Sequence, residues 1–194
     1  MTRPNSRIVE ANIARLNREL EDIDQYFYQI NRTQDRFLHA SMLERKRDDI
    51  VRSAVLQLHT SIEDLLTSYI TCTVLGVKPE QRVKAARTNA GKALRKMLYG
   101  SGSIGFDLKL SFATALGLLN AQTVKKLSEL NTLRNKCSHN WLLKVPVRRG
   151  RRPKQKKAPL LLYRGNDLHK AIVLKDFAAE FGLIYTKLFL KYFD

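Results

Sequence analysis

Two long runs of helix-spaced apolar residues constrain this chain more than any other feature. Ile13, Leu16, Leu20, Ile23, Phe27 and Ile30 alternate three and four apart, so all six share one face of an α-helix. Val51, Val55, Leu58, Ile62, Leu65 and Tyr69 repeat the pattern. The spacing predicts helices over about 5–38 and 41–75, the second ended by Gly76 and Pro79. Each stripe must be covered by another element, and two such helices joined by a short turn pack antiparallel.

The remaining pattern is also helical. Ala86, Ala90, Leu94 and Met97 predict a weaker helix over 80–98. Gly100, Gly102 and Gly105, with Ser101 and Ser103, predict a flexible loop. That loop lacks a Gly-Lys-Ser/Thr ending and follows a helix, so it does not match a phosphate-cradling loop. A short helix is expected from Asp107 as N-cap, with Leu110, Ala113, Leu116 and Leu119 inside. Another runs from Ala121 to Asn140 and carries Val124, Leu127, Leu130, Leu133 and Cys137. Pro146, Gly150, Pro153 and Pro159 exclude a regular helix over 144–158. Leu160 to Tyr163 suits a short strand, and a last helix over about 174–193 aligns Phe177, Phe181, Ile184 and Leu188. The expected fold class is all-α. It is an antiparallel helical bundle with two long leading helices and a basic loop or hairpin insertion (about 144–163) before the last helix. Residues 1–194 form a single domain.

Charge narrows the function. The chain carries 35 Lys+Arg against 18 Asp+Glu, a net +17 over 194 residues. The excess is uneven: residues 1–77 hold 10 basic and 11 acidic side chains, and residues 78–194 hold 25 and 7. Such asymmetry points to a polyanionic partner, most commonly nucleic acid. The densest run is Lys144, Arg148, Arg149, Arg151, Arg152, Lys154, Lys156 and Lys157, with no acid among them. A second cluster, Lys78, Arg82, Lys84, Arg87, Lys92, Arg95 and Lys96, is opposed only by Glu80. The dense run lacks the large apolar residues of an interfacial helix, and no stretch approaches the roughly 18 apolar residues needed to cross a bilayer. The two cysteines, Cys72 and Cys137, suit a reducing compartment. A soluble, cytoplasmic protein with no membrane partner is therefore expected. Cys137 and His139 lack a second ligand pair, so no metal site is expected, and no cofactor fingerprint is present.

The informative segment lies between 130 and 141. Val124, Leu127, Asn131, Arg134 and Ser138 step three, four, three and four, so the apolar stripe of this helix turns polar along its own line. Asn and Arg in core register either waste stability or build a site. Asn135 and His139 are four apart and share a face. Arg, Asn and His thus gather at one helix end, just before the densest basic run.

Arg134, four residues and then His139, with polar Asn135 directly after the Arg, resembles the R-x4-6-H motif of the HEPN superfamily (higher eukaryotes and prokaryotes nucleotide-binding domain). The second long helix is similar to that superfamily's second helix, in which an acidic residue follows an apolar run, here within Leu56 to Leu66 with Glu63 and Asp64. The basic insertion 144–158 is not part of the minimal family pattern. The resemblance implies a metal-independent endoribonuclease that acts as a homodimer with a composite Arg/His site, in a toxin-antitoxin or defence setting. It implies His139 as general acid/base, Arg134 as phosphate clamp, Asn135 orienting the phosphate or the His, and Glu63 or Asp64 tethering Arg134 or His139. Products would end in a 2′,3′-cyclic phosphate or 3′-phosphate. RNA would be held by the basic run 144–158 and by the 78–96 cluster, and an acidic antitoxin protein would be a further partner. The alternative is a non-catalytic HEPN-like module for nucleic-acid binding or regulation.

Overall fold

The structure, a computed structural model, describes residues 6–30, 36–100, 104–139 and 161–193. Among them are seven α-helices: α1 (Ser6–Ile30), α2 (Arg36–Leu75), α3 (Arg82–Ala85), α4 (Asn89–Tyr99), α5 (Phe106–Ala115), α6 (Ala121–His139) and α7 (Ala171–Phe193). A two-residue strand pair, β1 (Leu162–Tyr163) and β2 (Asn166–Asp167), completes the order. The all-α class expected from the spacing is the class observed.

α1 and α2 pack along each other. An Arg47–Asp24 ion pair joins the end of α1 to the start of α2, which fixes their antiparallel sense. From the α1 stripe, Ile13, Leu16, Leu20 and Ile23 are buried; the side chains of Phe27 and Ile30 lie outside those described. Residues 36–38, expected to end the first helix, instead open the second. α2 closes at Gly76, whose positive φ of 61° suits a residue without Cβ, and Val77 N–H donates back to the Cys72 carbonyl at 3.0 Å.

α2 is the central element. α1 and α7 cover one side, and α4, α5 and α6 cover others. Its buried residues therefore extend beyond the single stripe to Ala54, Leu66, Ile70 and Cys72, and to polar Arg52, His59, Thr67, Ser68 and Thr71. α7 fits as expected through Phe177, Phe181, Ile184 and Leu188, although it begins at Ala171 rather than near 174.

Three local expectations shift. The 80–98 segment is broken into a 3-10 turn (Pro79–Gln81), α3 and α4, with Thr88 capping α4 through its side chain to Gly91 N–H. The buried stripe of α4 is Gly91, Leu94 and Leu98, so Met97 stays exposed and Ala86 falls outside the helix. A Cβ on Gly91 would lie 2.1 Å from the Ala85 carbonyl oxygen, so the close return of the chain there selects glycine. The N-cap of α5 is Gly105, and Asp107 sits in the first turn, free to reach elsewhere.

The strand expected at 160–163 forms as β1, pairing antiparallel with β2 through Leu162↔Asp167 and Tyr163↔Asn166. The hairpin folds onto α7, with Tyr163 edge-on to Phe177 at 5.3 Å. Glu180 of α7 binds Lys126 of α6 at 2.6 Å and Arg164 of the hairpin at 2.7 Å.

Candidate functional site

α6 carries the Arg-His motif because its polar end grows out of a buried apolar one. Leu127, Leu130, Leu133 and Cys137 are buried against the bundle, while Asn120 accepts the Thr123 N–H at 2.8 Å and starts the helix. Asn131, at 8% exposure, occupies a core position, and its amide is engaged at both ends. Its Oδ1 lies 3.2 Å from His59 Nε2, and its Nδ2 donates to Asp107 Oδ2 at 3.0 Å. One turn on, Arg134 donates from Nη1 to Asn135 Oδ1 at 3.1 Å, and the Ser138 hydroxyl donates to the Arg134 carbonyl at 3.1 Å. Arg134, Asn135 and Ser138 are half-buried.

The network extends across three helices. Lys109 of α5 is 3% exposed and donates from Nζ to Glu63 Oε1 of α2 at 2.6 Å. The other carboxylate oxygen, Glu63 Oε2, is 3.6 Å from His59 Nδ1. The His59 ring rests on Phe106, with centroids 4.4 Å apart. One carboxylate, Glu63, and two cations, Lys109 and Arg134, thus act on one buried imidazole. Burial depresses the His59 pKa most strongly; Glu63 and Asn131 oppose that shift, and Arg134 and Lys109 reinforce it, leaving it below the ordinary value. His59 is therefore neutral near pH 7, and one of its nitrogens must accept. Asp64 is held above the usual carboxylate range by desolvation and then by the Glu63 charge.

A second cluster ties down the end of α6. Buried Arg52 of α2 donates to the Cys137 carbonyl and pairs with Asp48. Asp48 meets His169 at 3.2 Å, and His169 also meets Asp167 of the hairpin at 2.7 Å. Both flanks of the basic run are thereby anchored on α2.

The expected site residues fare differently. Arg134 and Asn135 lie together on α6. His139 is the last residue of that helix, and its side chain lies outside the described residues. Glu63 is engaged by Lys109 and His59, while the Arg134 side-chain bond described is to Asn135. Lys144, Arg148, Arg149, Arg151, Arg152, Lys154, Lys156 and Lys157 lie outside the described residues. Of the second basic cluster, Arg82 turns inward to the Ser68 hydroxyl, and Lys78, Lys84, Arg87, Lys92, Arg95 and Lys96 are exposed.

His59, Asp107 and Lys109 were not legible as site residues. A signal for Lys109 exists: Phe106, Lys109, Leu110 and Ala113 share one face, so the lysine stands in a core register and needs a buried acid. His59 and Glu63, four apart, also share a face.

Among the described residues no group of three or more His, Cys, Asp or Glu could hold a metal ion, and no helix is long and apolar enough to cross a membrane. Comparison with family models, with curated proteins and with solved structures finds no match. The class defined by the fold is an all-α bundle, with a buried polar network at the junction of α2, α5 and α6.

Proposed function

We propose that this protein is a metal-independent endoribonuclease of HEPN-like type, working as a homodimer. The carrying observation is the polar end of α6: Asn131, Arg134 and Asn135 follow one another up the helix, beside a network in which His59 and Lys109 are buried, Glu63 is half-buried and Asp107 is exposed. A bundle that stabilises so many polar groups at one helix junction bears a cost that a purely structural core avoids.

The chemistry follows from RNA itself. Its 2′-hydroxyl is an internal nucleophile, so no metal-bound water is required. His139 moves the proton, since an imidazole titrates near neutrality. Arg134 braces the charge developing on the phosphorane, and Asn135 fixes the guanidinium through its 3.1 Å bond. Glu63 serves indirectly, holding Lys109 and His59 behind Asn131. Asp64, next to it on α2, is exposed and lies in the fields of Lys109 and Arg82. A setting with an acidic antitoxin fits the net charge of +17.

The test is cleavage of labelled RNA in EDTA by the wild type, Arg134→Ala and His139→Ala. Loss of cleavage in both variants, cyclic-phosphate products and inert DNA are expected. Cleavage unchanged in both would reject the site, and cleavage abolished by EDTA would reject the metal-free mechanism. Tight, salt-sensitive binding without turnover would favour a regulatory binding module instead.

A further inference from the structure

One edge of α4 meets solvent with positive charge and no counter-charge. Lys92, Arg95 and Lys96 are exposed, and none has an acidic partner among the described residues. With Tyr99 they follow the helical steps i, i+3, i+4 and i+7, beside the buried stripe of Gly91, Leu94 and Leu98. Tyr99 is 50% exposed, yet it is not loose. Its hydroxyl is turned toward Ser68 and Thr67 of α2, and Lys109 Nζ stands 5.6 Å from its ring centroid. A ring packed beside a cation loses little rotamer freedom on gaining a stacking partner.

Lys109 is also the link to the site. The ammonium beside the Tyr99 ring is the one bonded to Glu63, which faces His59, which meets Asn131 one turn before Arg134. The α4 edge is therefore tied to the network behind Arg134 through the core, by way of buried Lys109.

We infer that this edge is a track for single-stranded RNA, in which Lys92, Arg95 and Lys96 hold successive phosphates and Tyr99 stacks one base. The inference rests on RNA being the substrate, as proposed above. Duplex RNA is a poor fit, because its bases are already stacked within the helix. Single-stranded DNA fits the track equally, because phosphate contact and stacking do not use the 2′-hydroxyl. Single-stranded DNA thus binds without being cut and competes with RNA.

The test is fluorescence anisotropy with a labelled 12-nucleotide single-stranded RNA, a duplex of the same sequence, and inorganic polyphosphate as competitor. All proteins carry His139→Ala so that binding is read without turnover. Tyr99→Ala is expected to weaken single-strand binding by about tenfold, within the roughly 5- to 150-fold range of base–aromatic stacking, and Tyr99→Phe to preserve it. Combining Lys92→Gln, Arg95→Gln and Lys96→Gln is expected to lower the slope of log K against log salt by about 2. Tyr99→Ala should leave duplex binding unchanged. Single-strand binding unaffected by Tyr99→Ala, or a salt slope unaffected by the triple change, overturns the track. Loss in the triple variant with Tyr99→Ala neutral, and with polyphosphate competing as well as RNA, replaces it with an unselective anion patch. Track-dependent binding here, together with a wild type that leaves RNA uncut in the cleavage assay above, overturns the nuclease proposal alone.

Discussion

Lys109→Met is the sharpest probe of the network. The substitution keeps the length of the side chain and removes its charge in a position only 3% exposed. The Nζ–Oε1 distance to Glu63 is 2.6 Å, and the Glu63 side chain retains 28% exposure. At an effective dielectric near 20, unit charges about 4 Å apart attract by roughly 4 kcal/mol, which offsets the desolvation of both groups. Deleting one partner of a buried pair costs about 3–5 kcal/mol, because the other charge is stranded. Water still reaches Glu63, which sets the expected loss at the lower end, about 3 kcal/mol. With a urea m-value of about 2 kcal/mol/M, the unfolding midpoint falls by about 1.5 M. Glu63→Gln and the double variant complete a cycle. The double variant should be more stable than the sum of the two single losses predicts, by at least about 1 kcal/mol. Single losses that add to within about 0.5 kcal/mol would refute the ion pair as a coupled element of the core.

Three further outcomes follow from the same structure. Gly91→Ala places a Cβ 2.1 Å from the Ala85 oxygen and 2.7 Å from Ala86 Cα, so a loss of about 1–3 kcal/mol is expected despite the better helix propensity; a thermal melt matching the wild type would exclude that close approach. Cys137 is buried and its pKa is pushed up to about 11, so its thiolate fraction at pH 8 is about a hundredfold below that of an ordinary thiol; rapid labelling of the native protein by a disulfide reagent would contradict this. Burial pulls the His169 pKa down, but hydrogen bonds and charges from Asp48 and Asp167 outweigh it, so the folded value lies above 6.5. Its contribution is therefore complete below pH 6.5 and is lost as pH rises through the folded pKa. His59 has the opposite sign, since its lowered pKa disfavours the fold as pH falls below 6.5. His169→Asn should accordingly lose more stability relative to wild type at pH 5.5 than at pH 8.5, measured by urea midpoints; an equal difference at both would remove His169 from the pH response.

What the sequence determined alone was whatever is periodic and local. The spacing along Ile13–Ile23, Val51–Leu65 and Phe177–Leu188 was enough for the helices and the all-α class, because a period of 3.6 is written in neighbouring residues. Gly76 marked the end of α2 for the same reason, and the polar turn at Asn131 and Arg134 marked α6 as unusual. Tertiary structure decided the rest. The central place of α2 is not periodic: α1, α4, α5, α6 and α7 bury it on several faces, so Arg52 and His59 are inside although neither belongs to its first stripe. The stripe of α4 depends on where the chain crosses itself at Gly91, which local spacing misplaced by one position. Asp107 looked like a cap by its neighbours, but Gly105 took that role and left the carboxylate to bind Asn131 of α6. His59 and Asn131 are 72 positions apart, and their contact exists only because two helices pack at one angle and register. Hydrophobic spacing chooses which faces are buried, but the pairing of polar groups on those faces is set by packing between distant segments.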